Sequence, residues 1–171
     1  ISIRDEIEKR IMEGQKFVVI HADIDNFKAY NDKYGLVSGD RAIQLTAELF
    51  REAIAQSGNP HDFLGHEGGD DFVLITTPDK VDALTEGFFR RFSEKILTLY
   101  SDEDKQRGYI IAKNRQGVIC KFPPMSISLA GVTNVHRELR SYTEITNIMP
   151  EVKEKAKSME GNIFILDKRK S

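Results

Sequence analysis

Residues 17–22, Phe17-Val18-Val19-Ile20-His21-Ala22, form a nearly unbroken β-prone run that gives way at once to Asp23-Ile24-Asp25. A run apolar at almost every position reads as a buried central strand rather than a half-solvated one. The flanking segments supply its cover. Ser2-Ile3-Arg4-Asp5 reads as a capping box opening a helix to about Glu13, with Ile3, Ile7, Ile11 and Met12 on one side and Gly14 ending it. A short helix is expected through Phe27 and Tyr30, breaking near Gly35, and a long one from Ser38-Gly39-Asp40 to about Ala55. Asp62–Glu67 and Phe72–Ile75 flank a Gly-rich turn as a hairpin. Val81–Tyr100 is a predicted helix with Leu84, Phe88, Phe89, Phe92 and Ile96 inward. Tyr109–Ile111 and Val118–Cys120 flank Asn114-Arg115-Gln116-Gly117 as an additional hairpin. Met125–Ala130 alternates like a half-buried strand, Thr143–Met159 is the last helix, and Asn162–Leu166 the last strand. The fold class is α+β, with helices flanking a mostly antiparallel sheet of βααββα type.

Bulk properties narrow the function. The 171 residues, 40% hydrophobic and 30% charged, suit one globular domain. A net charge of −2 displays no basic surface for nucleic acid or anionic lipid. No apolar run approaches the about 18 residues needed to cross a bilayer, and no signal peptide opens the chain. The single cysteine, Cys120, has no internal partner, which favours a cytoplasmic setting; its apolar neighbours suit a small buried hydrophobe. Because the first residue is Ile1, the chain reads as a fragment, residues 1–171 forming a single domain of a longer protein with further modules on its N-terminal side.

The chemistry lies in two acidic clusters. Asp23 and Asp25 leave the first strand, and Gly68-Gly69-Asp70-Asp71 turns the hairpin. Asp23 and Asp25 point the same way only if the strand persists through both. If the two strands are neighbours, Asp23 converges with Asp70 or Asp71, and converging carboxylates call for a hard cation. That layout serves metal-assisted phosphoryl or nucleotidyl transfer. Gly68 and Gly69 permit positive φ and leave room for a nucleotide. Either cluster alone would also suit an ordinary polar turn or a solvated strand end.

Asp23-Ile24-Asp25-Asn26-Phe27-Lys28, then Asn31-Asp32-Lys33-Tyr34-Gly35 and Gly39-Asp40, resembles the first signature of GGDEF domains, and Gly68-Gly69-Asp70-Asp71-Phe72 the second. Ser126–Ala130 and Ala156-Lys157 are similar to later parts of the same family, so the resemblance covers nearly the whole chain in order. It implies a nucleotidyl-cyclase, palm-like fold and a diguanylate cyclase that condenses two GTP to cyclic di-GMP. Two divalent ions, Mg²⁺ or Mn²⁺, would serve each nucleotide, and a homodimer would bring two loaded sites face to face. By position, Asp23, the Ile24 carbonyl, Asp70 and Asp71 would hold metal, with Asp70 also the proton acceptor. Phe27 and Lys28 would approach the phosphates, Asn31 and Asp40 would read guanine, and Lys157 would neutralise the triphosphate. Phe27 equally suits the core, Asn31 a helix C-cap, Asp40 an N-cap and Lys157 a solvated helix charge.

Departures from the family's pattern keep a second reading open, a non-catalytic module that binds GTP and relays a signal. Asp71 stands where active members carry Glu, and Leu36 where they carry His. Glu160-Gly161-Asn162 lacks the family's phosphate-binding Arg, leaving Lys153 or Lys155 as substitutes. His66 occupies a common Arg position and reads as a partly solvated strand residue, the alternative being a metal ligand beside Glu67. Asn59-Pro60-His61-Asp62 keeps the Asp but not the Arg of the family's product-inhibition motif, so no ordinary inhibitory site is expected. A third reading, the palm domain of type III CRISPR large subunits, shares Gly-Gly-Asp-Asp but not the guanine-reading pair. An upstream sensory domain is an expected partner.

Overall fold

The structure is a computed structural model that describes residues 2–171. In chain order it runs α1 (Ile3–Met12), β1 (Val18–Asp25), α2 (Phe27–Tyr34), α3 (Leu36–Ser57), β2 (Phe63–His66), β3 (Asp71–Thr76) and α4 (Val81–Lys95). A 3₁₀ turn over Ile96–Leu99 leads to α5 (Asp102–Arg107), β4 (Ile110–Lys113), β5 (Ile119–Phe122), β6 (Ser126–Thr133), α6 (Tyr142–Lys157) and β7 (Ile163–Leu166). Five strands form one sheet in the order β2-β3-β1-β6-β7, antiparallel except for the β6–β7 pair. This is the expected α+β arrangement, and β4–β5 is the additional hairpin, a separate two-stranded sheet.

Strand alternation sorts β1 between two cores. Val18, Ile20, Ala22 and Ile24 face a core built with α2, α3 and α4, where Phe50 and Phe88 stack with ring centroids 3.8 Å apart. Phe17 and Val19 face a second core under α1 and α6, with Val73, Ile75, Met149 and Val152. The strand persists through Asp25, so His21, Asp23 and Asp25 take the α6 face. On β3, Asp71 shares that face with Val73 and Ile75.

Some expectations shift. Met12 is 87% exposed, because α1 turns Glu6, Ile7 and Arg10 inward and the Glu6–Arg10 pair, 3.2 Å apart, travels into the interior together. The long helix begins at Leu36, directly after Gly35 at φ 92°, so Ser38, Gly39 and Asp40 lie within it. β6 is buried along almost its whole length instead of half-solvated, since helices cover both faces of the sheet there. The Val81–Tyr100 helix narrows to a 3₁₀ turn at Ile96. Cys120 is half-buried, and Asn114 Nδ2 sits 3.4 Å from its sulfur.

The segment before the additional hairpin contains α5, which periodicity did not reveal. Its Asp104 is buried, takes Lys33 Nζ at 3.0 Å, and also accepts from Tyr34 and Arg107. The Tyr34 hydrogen bond, then Lys33, hold its carboxyl below the usual range. This junction ties α5 to α2, and β4 also packs on α2. Among the described residues, no helix is long and apolar enough to cross a membrane.

Candidate functional site

Asp23 and Asp71 are cross-strand partners on β1 and β3, and Asp70 is the last residue of the turn between β2 and β3. One carboxylate oxygen from each of the three falls within 4.8 Å of the others. The turn allows this because Gly68 and Gly69 adopt φ of 52° and 54°, a left-handed pair that side chains other than glycine's resist. The pair Asp23 and Asp71, like charges directly opposite on one face, is unfavourable without a counter-charge. Burial, then the Asp23 charge, then Asp70, push the Asp71 carboxyl up to about 6. Burial and Asp23 also raise Asp70.

Two basic side chains attend the cluster. Lys157 Nζ, at the end of α6, lies 3.0 Å from Asp23 Oδ2 and 3.4 Å from Asp25 Oδ1. Burial works against its charge, yet the pull of Asp23 and then Asp25 leaves its pKa raised. Asp25 is further held by the Ser126 and Ser128 hydroxyls at 2.8 Å. It therefore anchors Lys157 to β6. His21 Nε2 is 3.7 Å from Asp71 Oδ2, while its Nδ1 is buried without a partner. Burial, then Lys153, lower His21 to about 4, so the ring is neutral near pH 7.

The acids open onto a cleft of about 470 Å³. Asp23, Ile24, Phe27, Lys28, Asp70, Asp71 and Lys157 all line it, together with Asn26 and part of the β4–β5 hairpin. Phe27 thus packs on the core and borders the cleft at once. Asn26 is the residue that sequence reasoning missed. At φ 64°, ψ 20° it turns the chain from β1 into α2, and asparagine tolerates that left-handed bend better than most residues. The first turn of α2, Phe27 to Ala29, thus borders the cleft, and the unpaired N–H groups of a helix start are a favourable place for an anion. Lys28 Nζ pairs with Asp32 Oδ2 at 2.7 Å.

Asn31 and Asp40 are not among the lining residues; they belong to α2 and α3, the helices that meet at Gly39. Gly39 packs there so tightly that a β-carbon would come within 1.9 Å of Asn31 Oδ1. Asn31 lies inside α2 and Asp40 inside α3, so neither is the helix cap it could have been.

The other motif residues resolve more simply. His66 Nε2 contacts the Gly69 carbonyl oxygen at 2.6 Å and its ring stacks on Phe72, bracing the turn outside the acid cluster. Asp62 accepts from Asn59 N at 2.8 Å and Thr76 Oγ1 at 2.9 Å, as a turn residue with its oxygens in use. Leu36 is 75% exposed. Neither Lys153 nor Lys155 reaches the cleft: Lys153 lines a neighbouring apolar cavity with His21, and Lys155 lies near Asp167 and Arg169. Gly161 takes φ 81°.

Oxygen donors alone, three carboxylates in reach of one ion, fit a hard divalent cation such as Mg²⁺ or Mn²⁺. The raised carboxyls mark the negative charge that such an ion would balance.

Comparison with known proteins agrees. The sequence profile of the family described as "Diguanylate cyclase, GGDEF domain" matches residues 2–111. A diguanylate cyclase of Vibrio cholerae serotype O1 is 35% identical over 83 residues, 47% of this chain and 25% of the relative. Diguanylate cyclase DgcP of Pseudomonas aeruginosa is 28% identical over 81 residues, 47% of this chain and 12% of the relative. The chain thus spans a quarter or less of these curated relatives. Among solved structures, the active GGEEF domain of a diguanylate cyclase from Vibrio cholerae superposes with a TM-score of 0.66 at 23% identity, covering 98% of this chain and 92% of that one. The GGDEF domain of DgcB from Caulobacter crescentus, solved in complex with c-di-GMP, gives 0.61 at 16% identity, covering 96% and 85%. At these identities the likeness speaks for the fold.

Proposed function

The chain belongs to the GGDEF domain family of diguanylate cyclases, and on that footing we propose that it condenses two GTP into cyclic di-GMP. The observation that carries the proposal is the convergence of Asp23, Asp70 and Asp71 at the mouth of a cleft that Phe27, Lys28 and Lys157 also line.

In this reading two divalent ions per nucleotide, Mg²⁺ or Mn²⁺, supply Lewis-acid neutralisation at the phosphates. Asp23, the Ile24 carbonyl, Asp70 and Asp71 hold them. The first turn of α2, at Phe27 and Lys28, receives the phosphates through backbone N–H groups. Asn31 and Asp40 read the guanine edge, where a carboxylate accepts from the ring and amino N–H groups. Lys157 stays protonated and offsets phosphate charge. Asp70 takes the proton from the 3′-hydroxyl that attacks the α-phosphate of the opposing GTP as pyrophosphate leaves. A second copy of the chain supplies that opposing nucleotide, so the reaction needs a homodimer. We place the domain, residues 1–171, in the cytoplasm as part of a larger signalling protein whose upstream sensory domain brings two copies together.

A second reading, a GTP-binding signalling module without turnover, draws support from one contact. The Lys157 ammonium sits 3.0 Å from Asp23, where it competes with a metal for that carboxylate. One experiment separates the two. The concentrated chain is incubated with GTP and Mg²⁺ while pyrophosphate and cyclic di-GMP are followed, with Asp70→Ala as control. Product that vanishes in the control supports the cyclase. No product from an enforced dimer that binds GTP supports the module.

A further inference from the structure

One wall of the cleft comes from outside the five-stranded sheet. Lys113, Asn114, Arg115 and Phe122 of the β4–β5 hairpin line it together with the acidic cluster. The hairpin is firmly built. Ile110 is buried, Ala112 and Phe122 pack on the main core, and β4 lies on α2. Its turn is closed by Asn114, whose Oδ1 accepts from the backbone N–H of Gln116 at 2.9 Å and of Val118 at 3.0 Å. Gly117 completes the turn at φ 80°. Lys113 and Arg115 therefore project from an ordered support.

The charges in the cleft are unevenly committed. Lys157 is engaged by Asp23 and Asp25, and Lys28 by Asp32. Lys113 and Arg115 are exposed and have no carboxylate partner among the described residues. A nucleoside triphosphate brings several negative charges, and the carboxylates of the cluster add more. Metal ions held by the acids would offset part of that charge, and the two uncommitted cations of the hairpin, lining the same cleft, would offset more. A guanidinium forks onto two phosphate oxygens, and an ammonium adds a point charge.

We infer that Lys113 and Arg115 clamp the phosphate chain of the bound nucleotide, so that the additional hairpin is a working wall of the nucleotide site. The inference rests on the GTP reading proposed above and names residues that this reading did not use.

The test measures binding of GTP, GMP and guanosine to the full 171-residue chain in Mg²⁺, for the parent and for the double variant Lys113→Gln/Arg115→Gln. Loss of two charge-assisted contacts should weaken GTP about tenfold or more while guanosine changes little. Arg115→Lys, keeping the charge without the fork, should fall between parent and double variant. The parent's GTP affinity should also decline more steeply with added salt than the variant's. Equal GTP affinity in parent and double variant overturns the clamp. So does an equal loss for GTP and guanosine, or a drop in thermal midpoint that accounts for the loss, since each assigns the hairpin a structural role. If the parent binds no GTP at all, the nucleotide reading itself falls, an outcome distinct from the others.

Discussion

Asp23 and Asp71 stand directly opposite each other across the β1–β3 ladder, with both side chains on the face covered by α6. Two like charges in that register resist ionising together, and the Asp71 carboxyl is pushed up to about 6 by burial first and Asp23 second. A carboxyl whose pKa is higher in the fold than in the open chain stabilises the fold below its ordinary value near 3.8, and that contribution is lost as pH rises through about 6. A divalent ion restores the balance above that window. Mg²⁺ should therefore raise the thermal midpoint more at pH 7.5 than at pH 5. His21, lowered to about 4, works in the opposite direction, its contribution being lost as pH falls from 6.5. Asp71→Asn should remove the Asp71 part and leave the His21 part visible. Midpoints with EDTA and with Mg²⁺ at both pH values check this.

Lengthening Asp71 by one methylene should help catalysis. It faces Asp23 at the strand end with its side chain a third exposed, so Asp71→Glu meets no packed wall. Positional errors of about 1 Å in a reacting group can cost around 100-fold in rate, so a gain of roughly 10- to 100-fold in pyrophosphate release is expected. A variant with unchanged turnover would show that the shorter acid is not limiting.

Gly39→Ala probes the Asn31–Asp40 corner proposed above to read guanine. The new methyl group would fall 1.9 Å from Asn31 Oδ1, so the Asn31 side chain must swing away. Replacing a helix-interior glycine by alanine favours the helix itself by about 0.5–1 kcal/mol, which offsets part of any packing cost. The expected result is about a tenfold weaker preference for GTP over ATP with little change in thermal midpoint. Parallel titrations with the two nucleotides measure it.

Removing the Lys157 ammonium leaves Asp23 and Asp25 without their shared cation. Lys157→Ala should lower the thermal midpoint in EDTA, and the gap from the parent should narrow in saturating Mg²⁺, which takes over the neutralising role. A gap of equal size in both conditions would mean that Lys157 and the metal do not share charge.

Asp104 offers a test away from the acids. It is buried and held by Lys33, Arg107 and Tyr34, so Asp104→Ala removes the shared acceptor of the α2–α5 junction. Because Lys33 and Arg107 stay about a third exposed and water can reach them, the expected loss is about 1–3 kcal/mol, and denaturant unfolding reads it directly.

Much of this was legible in the chain before its fold was known, for physical reasons that differ by residue. Asp23 and Asp70 or Asp71 were expected to converge only if their two strands were neighbours, a condition the β1–β3 pairing meets. The long helix carried enough periodicity to be recognised, although Ser38-Gly39-Asp40 looked like its start. Ser and Asp are good caps, but Gly35, three residues earlier, breaks the chain more sharply. β6 alternates in sequence and yet is buried, since Ser128 and Gly131 are small or hydrogen-bonded enough to be covered. Asn26 and Asp104 left no pattern at all. One acts through a single backbone angle, and the other through partners about 70 residues away in sequence.

Gly68 and Gly69 have open space where β-carbons would stand, so their demand is for handedness alone and not for size. A mirror-image alanine satisfies the same backbone angles that an ordinary alanine strains. Placed at either position by chemical synthesis, it would keep the acids aligned while adding bulk to the outer surface of the turn. The tip of this hairpin is thus a place where the shape of the chain and the clearance for an approaching molecule can be varied independently.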